Sequence, residues 1–231
     1  MNRRMTQDLA HKRPYLLASL IAGISFPATW LFLPLEGGLI ALVWKMAGVG
    51  LLVPFALHRH HVGEFVPLAI ILAFYALGDG LIEFSMVAGA LAFAVGHLVA
   101  IWLYFRHRRV AATFSQKLLA IAIFLLTPVI AYALPPTTDE AVQVAAYSVI
   151  LAAMAAMAWS SNFPRYRVGL GAVLFVISDL LIFAELGPLA NSKVSGIAIW
   201  YLYYFGVLMI AVGVAQTLVK RGHYAEGEER D

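Results

Sequence analysis

Long apolar blocks separated by short basic clusters are the feature of this sequence that most constrains its fold. Hydrophobic residues make up 62% of the 231 residues and charged residues only 13%, and the mean hydropathy is +0.83. Soluble domains carry about 25% charged residues, and a helix needs about 20 residues to cross a bilayer. We therefore predict an all-α integral membrane protein with eight transmembrane helices in one bundle. The predicted helices cover residues 14–33, 38–57, 64–82, 85–105, 118–134, 141–160, 168–186 and 195–219.

The positions of Lys and Arg predict how these helices are oriented, because both residues gather in cytoplasmic loops. With eight crossings and a cytoplasmic N-terminus, all of the 16 Lys and Arg residues except Lys45 and Lys193 fall in inner segments. Both termini are therefore predicted to be cytoplasmic. The expected organisation is a cytoplasmic N-terminal segment at 1–13, a transmembrane domain at 14–219 and a polar cytoplasmic tail at 220–231, which is expected to be disordered from Arg221.

Several function classes do not fit the sequence. The chain has no cysteine, which excludes disulfides and thiolate chemistry. Its net charge of +3 comes from clusters that read as topology signals, so nucleic-acid binding is not expected. No phosphate-binding loop, Gly-x-Ser-x-Gly elbow or zinc-protease helix occurs. The apolar stretch 14–33 lacks a small-x-small cleavage site, so we expect a retained first helix and not a signal peptide.

Local signals predict where some helices begin and how they pack. Pro135-Pro136 and Gly187-Pro188 are typical of turns. Thr137 followed by Glu140 predicts a capping box at the start of the sixth helix. The alanine-rich stretch 152–158 of the same helix favours close helix packing.

Ionisable residues inside membrane helices are costly and mark either functional sites or structural pairs. Lys45, Asp79, His97 and Asp179 fall well inside predicted helices, and at about 1.5 Å per residue they lie in the outer half to the middle of the bilayer. We expect them to share one internal, partly wet cavity that opens outward. Each residue also has a structural alternative. His97 could be a hydrogen-bonded structural histidine, Lys45 could snorkel or pair with a carboxylate, and Asp179 could be one half of such a pair. Glutamates near helix ends are expected at headgroup level: Glu36, Glu64, Glu83 and Glu185.

Asp79 lies in Gly78-Asp79-Gly80, which is also a turn signal. A turn at this position would leave about 14 apolar residues for the third helix, too few to cross a bilayer. A turn near Glu83 leaves about 18, which is enough. We therefore predict that Asp79 is buried in the helix.

Two helices repeat one arrangement of a small residue, an aromatic residue and an ionisable residue at i, i+4 and i+8, which places the three on one face. The two sets are Gly89, Phe93 and His97 in the fourth helix, and Gly171, Phe175 and Asp179 in the seventh. Together with Gly78-Asp79, Lys45, Ser178 and the pair Tyr203-Tyr204, these motifs make the chain resemble the YhhN-like lysoplasmalogenase family. The resemblance extends over nearly the whole chain.

The resemblance implies hydrolysis of the vinyl ether bond of a lysoplasmalogen to a fatty aldehyde and a glycerophospho head group. Protonation of the vinyl β-carbon creates an oxocarbenium ion that water attacks, so a proton donor and a carboxylate are required. Asp79 and Asp179 are the candidates, and the sequence does not say which is the acid. The implied catalytic residues are Asp79, Asp179 and His97, and the implied substrate-binding residues are Lys45, Phe93, Phe175, Ser178, Tyr203 and Tyr204. No cofactor or metal is expected. The expected partners are a lysophospholipid and the bilayer, and the expected location is a bacterial inner membrane.

Two other functions use the same residues. A small-molecule or proton-coupled transporter would use the buried charges as an ion or proton relay. A metal-dependent hydrolase would use Asp79, His97 and Asp179 as zinc ligands, which is an unusual set for zinc.

Overall fold

The computed structural model describes residues 3–33, 38–57, 62–111, 113–190, 192 and 195–228, with side chains described for 14–33, 38–57, 65–111, 113–190, 192 and 195–221. Apart from turns and loops, the described residues form helices. They contain no strand beyond an isolated antiparallel bridge between Arg108 and Ser161. A π-helical turn at Arg165–Gly169 leads directly into α9. The helices are α1 (Arg3–Ser25), α2 (Ala28–Leu31), α3 (Leu39–Gly50), α4 (Leu52–Leu57), α5 (Val62–Leu81), α6 (Met86–Arg106), α7 (Phe114–Ala133), α8 (Thr138–Ser160), α9 (Leu170–Glu185) and α10 (Ser195–Glu228).

Seven stretches of the described chain are long and apolar enough to cross a membrane. The predicted third helix corresponds to α5, whose apolar part Phe65–Leu81 is shorter. The predicted order of eight helices is confirmed, and it is consistent with an integral membrane protein. Insertion and the orientation of the termini stay predictions. The seven stretches are Pro14–Leu31, Leu39–Leu57, Met86–Arg106, Phe114–Ala133, Thr138–Ser160, Arg165–Glu185 and Ser195–Arg221.

The first two predicted helices are each interrupted, which the apolar pattern did not predict. α1 and α2 are separated at Phe26 and Pro27, and α3 and α4 at Leu51. Proline has no N–H to donate, and its ring clashes with the carbonyl group four residues earlier. Gly50, four residues before Pro54, is the last residue of α3, so the break falls where proline removes a helical hydrogen bond.

Side-chain caps mark the starts of α7 and α8. Thr137 accepts a hydrogen bond from the backbone N–H of Glu140 at 3.4 Å, so the predicted N-cap of α8 is confirmed. The predicted capping box is incomplete, because the Glu140 carboxylate accepts from the Thr137 hydroxyl at 2.6 Å and not from the Thr137 backbone N–H. A complete capping box at α7 was not predicted. Its Thr113 N–H donates to Gln116 Oε1 at 3.1 Å, and α7 therefore begins before the predicted residue 118.

The C-terminal end corrects a prediction. α10 continues through Glu228, so residues 221–228, which were expected to be disordered, are helical. A helix already formed by the packed residues before 220 extends without a new nucleation step, and polar residues are then sufficient to prolong it. Residues 229–231 lie outside the described part of the chain.

The described chain divides into two compact units, Met1–Gly96 and His97–Asp231. In the N-terminal unit, Ser19 Oγ donates to the Gly48 carbonyl at 2.6 Å and joins α1 to α3. Glycines let α6 lie close to α5 and to the turn that follows it. A Cβ on Gly96 would lie 2.6 Å from the Tyr75 ring, and one on Gly89 would lie 2.7 Å from Ile82 Cβ.

The C-terminal unit packs α7, α8, the π-helical turn, α9 and α10 against each other. Ala152, Ala155 and Ala158 of α8 are fully buried, which confirms the predicted close packing. α9 and α10 meet at Gly171 and Gly206. A Cβ on Gly171 would lie 2.6 Å from the Gly206 carbonyl oxygen, and one on Gly206 would lie 2.7 Å from the Gly171 carbonyl oxygen. Such small-residue contacts are typical of membrane helix interfaces.

The surface of α7 is apolar, as expected of a helix that faces lipid. Leu118, Ile121, Leu125 and Val129 lie on one face and are all more than half exposed. Contiguous exposed apolar surface of this kind is rare in soluble monomers.

Candidate functional site

Three side chains from three helices of the C-terminal unit form a hydrogen-bonded chain. Tyr147 of α8 donates its hydroxyl to Asp179 Oδ2 of α9 at 2.8 Å. His97 Nε2 of α6 lies 3.2 Å from the same Tyr147 oxygen. His97 is fully buried and Asp179 is nearly so, at 6% exposed. Tyr147 therefore links His97 and Asp179 by hydrogen bonds. His97 and Asp179 were proposed from the sequence, whereas Tyr147 was not.

Aromatic rings enclose this chain. Phe175, one helical turn before Asp179, meets the His97 ring edge-on with centroids 5.0 Å apart. Tyr203 of α10 meets Phe175 in the same way at 5.1 Å. Phe175 and Asp179 lie on the same face of α9, as their spacing predicted. That face is in contact with the predicted residue His97.

The other proposed residues of the C-terminal unit have specific partners. The Ser178 hydroxyl donates to the Ile199 carbonyl at 2.9 Å and joins α9 to α10. Tyr204 is fully buried and stacks on Trp200, with ring centroids 6.0 Å apart and planes 11° apart. Substrate contact by Ser178, Tyr203 and Tyr204 stays a prediction.

Asp79 lies in the last turn of α5 in the N-terminal unit. The helix continues to Leu81, a turn follows at residues 82–84, and Asp79 is only 2% exposed. The prediction that it is buried in the helix is confirmed, and the alternative of a turn at Gly78-Asp79-Gly80 is wrong.

The glycines beside Asp79 serve packing. A Cβ on Gly78 would lie 2.8 Å from the Phe93 ring, and one on Gly80 would lie 2.6 Å from Met46 Sδ. Phe93 is itself buried and contacts Tyr75, with ring centroids 6.0 Å apart. The predicted residue Phe93 therefore lies directly against the helical turn that carries Asp79.

Lys45 forms an ion pair with Glu83. The lysine side chain is 14% exposed and the glutamate side chain 42%. Pairing with a carboxylate was one of the structural alternatives for Lys45. Its partner Glu83 was expected at headgroup level, without a specific role. The turn after Leu81 brings Glu83 to Lys45, and the expected headgroup level of Glu83 stays a prediction.

Tyr147 was missed because a tyrosine in an apolar helix is neutral and does not stand out as a buried charge does. Its separation from its partners along the chain, 50 and 32 residues, carries no local signal. The only available indication was a hydroxyl-bearing ring among small and aliphatic residues of the sixth helix.

Comparison with protein families places these residues in a known context. Residues 40–214 match the model of the YhhN family. The chain belongs to the YhhN family. This is the lysoplasmalogenase family, so membership implies a hydrolase-like enzyme at the family level. Comparisons with curated proteins and with solved structures gave no match.

The stretch that matches the YhhN family contains every candidate residue described above, from Lys45 to Tyr204. It begins after α2 and ends within α10, so α1 and α2 lie outside it. Within the described residues, no group of three or more His, Asp, Glu or Cys side chains is arranged to hold a metal ion.

Proposed function

We propose that this YhhN-family protein is a membrane-embedded lipid hydrolase that cleaves the vinyl ether bond of a lysoplasmalogen or a related lysolipid. The products are a fatty aldehyde and a glycerophospho head group. The observation that carries the proposal is the match of residues 40–214 to the family. We place the enzyme in a bacterial inner membrane, with both termini cytoplasmic and with the bilayer and a lysophospholipid as its partners.

The chemistry needs one proton donor and one group that activates water. A proton added to the β-carbon of the vinyl ether leaves an oxocarbenium ion. Water then adds to the carbon that bears the ether oxygen, and the resulting hemiacetal collapses to aldehyde and alcohol. Two carboxyl groups in different environments supply such an acid and base. We assign these roles to Asp79 and Asp179, both of which are buried.

The remaining residues support binding and proton supply in this proposal. His97 serves Asp179, to which it is joined by hydrogen bonds through Tyr147. Lys45 binds the substrate phosphate in this proposal. The phosphate displaces Glu83, with which the Lys45 ammonium group forms an ion pair. Phe93, Phe175, Tyr203 and Tyr204 line the path of the alkenyl chain.

The test is incubation of the purified protein with vinyl ether, alkyl ether and ester lysolipids, with the products identified by mass. We expect aldehyde from the vinyl ether lipid alone. Asp79→Asn and Asp179→Asn should each lower kcat by at least about 100-fold, the scale of general acid–base catalysis. Asp139→Asn, in the exposed first turn of α8, is the matched control and should retain full activity. Near-normal turnover in both variants would contradict the assigned mechanism, and no turnover by the unmodified protein would contradict the function.

A proton-coupled transporter is a second candidate, and one observation favours it. A buried His97–Tyr147–Asp179 chain has the composition of the proton paths found in membrane transporters. Solute or proton flux across proteoliposomes without any lipid product would support this function. Aldehyde release without flux would support the hydrolase.

A further inference from the structure

The Tyr147 hydroxyl occupies the position between His97 and Asp179. Its oxygen is 2.8 Å from Asp179 Oδ2 and 3.2 Å from His97 Nε2. A phenol has one proton to donate and an oxygen that accepts. When it donates to the carboxylate, its oxygen accepts from the imidazole Nε2–H.

In a second arrangement of the same atoms, the donor and the acceptor are exchanged in both hydrogen bonds. A protonated Asp179 would donate to the Tyr147 oxygen, and Tyr147 would donate to an unprotonated His97 Nε2. The two arrangements differ by a concerted shift of protons along the two hydrogen bonds, of 2.8 and 3.2 Å.

From this geometry, and resting on the hydrolase function proposed above, we propose that Tyr147 relays a proton from His97 to Asp179, which makes Asp179 the acid. In each turnover Asp179 gives its proton to the vinyl β-carbon and becomes a carboxylate. The bond between Nε2 and its proton in the His97 imidazolium then breaks as that proton joins the Tyr147 oxygen. The phenolic proton moves to Asp179 Oδ2 at the same time. His97 is left neutral and takes up a new proton from solvent, while the attacking water loses a proton to solvent, so each turnover consumes one proton and releases one.

The Tyr147 ring is held independently of its hydroxyl. It meets Phe183 edge-on, with centroids 6.0 Å apart and planes 83° apart. It also packs against a buried cluster of Ala131, Val144 and Phe183. Removal of the oxygen alone should therefore leave the ring in place, so Tyr147→Phe separates the relay from packing. Because it acts through Asp179, Tyr147 is a positioning residue.

The first experiment measures kcat and KM for a vinyl ether lysolipid in a double-mutant cycle. Tyr147→Phe should lower kcat on the order of 100-fold and change KM by less than about twofold, because acid–base contributions are of this size. In a His97→Gln background the same change should lower kcat by no more than about twofold, since residues that act as a unit are not additive. Tyr132→Phe, at a half-exposed tyrosine of α7, is the matched control and should retain full activity.

A second readout needs no turnover. In protein labelled with ¹⁵N at histidine, the His97 Nε2 resonance is assigned by its loss in His97→Gln. It should shift on Asp179→Asn, and that shift should disappear in a Tyr147→Phe background. Normal kcat in Tyr147→Phe, or an Asp179→Asn shift that survives without the hydroxyl, would overturn the relay. An unmodified protein that releases no aldehyde would overturn the hydrolase function, and the resonance then decides the relay on its own.

Discussion

Lys45 of α3 and Glu83, in the turn after α5, form an ion pair, and Glu83 is the more exposed of the two. Glu83 follows Asp79 by four residues. The turn at residues 82–84 therefore holds the lysine's partner immediately beyond the helical turn that buries the proposed catalytic carboxylate. A phosphate that approaches Lys45 must compete with Glu83 for the ammonium group.

Glu83→Gln should lower KM for a lysophospholipid several-fold, because the substrate phosphate no longer competes with a carboxylate. Lys45→Met should raise KM by a similar or larger factor. Stability should change little in Glu83→Gln, since a partly exposed pair contributes about 0.2–1 kcal/mol. Steady-state kinetics and thermal unfolding in detergent measure both effects. An unchanged KM in both variants would show that Lys45 is only a structural partner of Glu83.

The glycines on either side of Asp79 should differ in their tolerance of a methyl group. In Gly78→Ala the new Cβ would meet the buried Phe93 ring at 2.8–2.9 Å, and a rigid ring must shift as a whole. In Gly80→Ala it would meet Met46 Sδ, and methionine adapts to such gaps. We expect Gly78→Ala to lower the free energy of unfolding by about 1–3 kcal/mol and Gly80→Ala by less than about 1 kcal/mol. Denaturation in detergent compares them, and equal losses would contradict this packing.

Sequence predicted the order of the helices because bilayer thickness fixes the length of an apolar block. It also predicted the burial of Asp79, since a turn at that residue would leave α5 too short. It did not predict the interruptions at Pro27 and Leu51. Proline is also present inside α5 and α7 without ending either helix, so proline alone does not identify a break.

The candidate site was only partly predictable, because hydropathy identifies charges and not neutral polar partners. His97 and Asp179 stand out in apolar helices, whereas Tyr147 resembles any buried aromatic residue. The partner of Lys45 depends on where α5 ends, and a shift of one or two residues in that end decides whether Glu83 reaches it. Helix ends are the least certain part of any reading from sequence.

The contact between Gly171 and Gly206 should be the most sensitive packing point of the C-terminal unit. A Cβ on either residue would meet a backbone oxygen of the facing helix, which cannot rotate away as a side chain can. Gly171→Ala and Gly206→Ala should each lower the free energy of unfolding by about 1–3 kcal/mol. Gly50→Ala is the control, since its Cβ would lie 3.8 Å from Ala76 Cβ, an ordinary contact. Thermal unfolding in detergent should show no loss for Gly50→Ala, and a comparable loss there would contradict the close approach of α9 and α10.

Ser178 is the proposed binding residue whose role is most directly separable from packing. Its hydroxyl donates across helices to the Ile199 carbonyl, whereas the hydroxyl of the equally buried Ser148 donates to Val144 in its own helix. Hydrogen bonds between membrane helices contribute about 0.6 kcal/mol on average and up to about 1.7 kcal/mol. Ser178→Ala should therefore lower stability by roughly this amount, and Ser148→Ala should not, because a bond to the residue four positions earlier does not link two helices. If KM rises in Ser178→Ala while stability is unchanged, the hydroxyl serves the substrate and not the contact between α9 and α10.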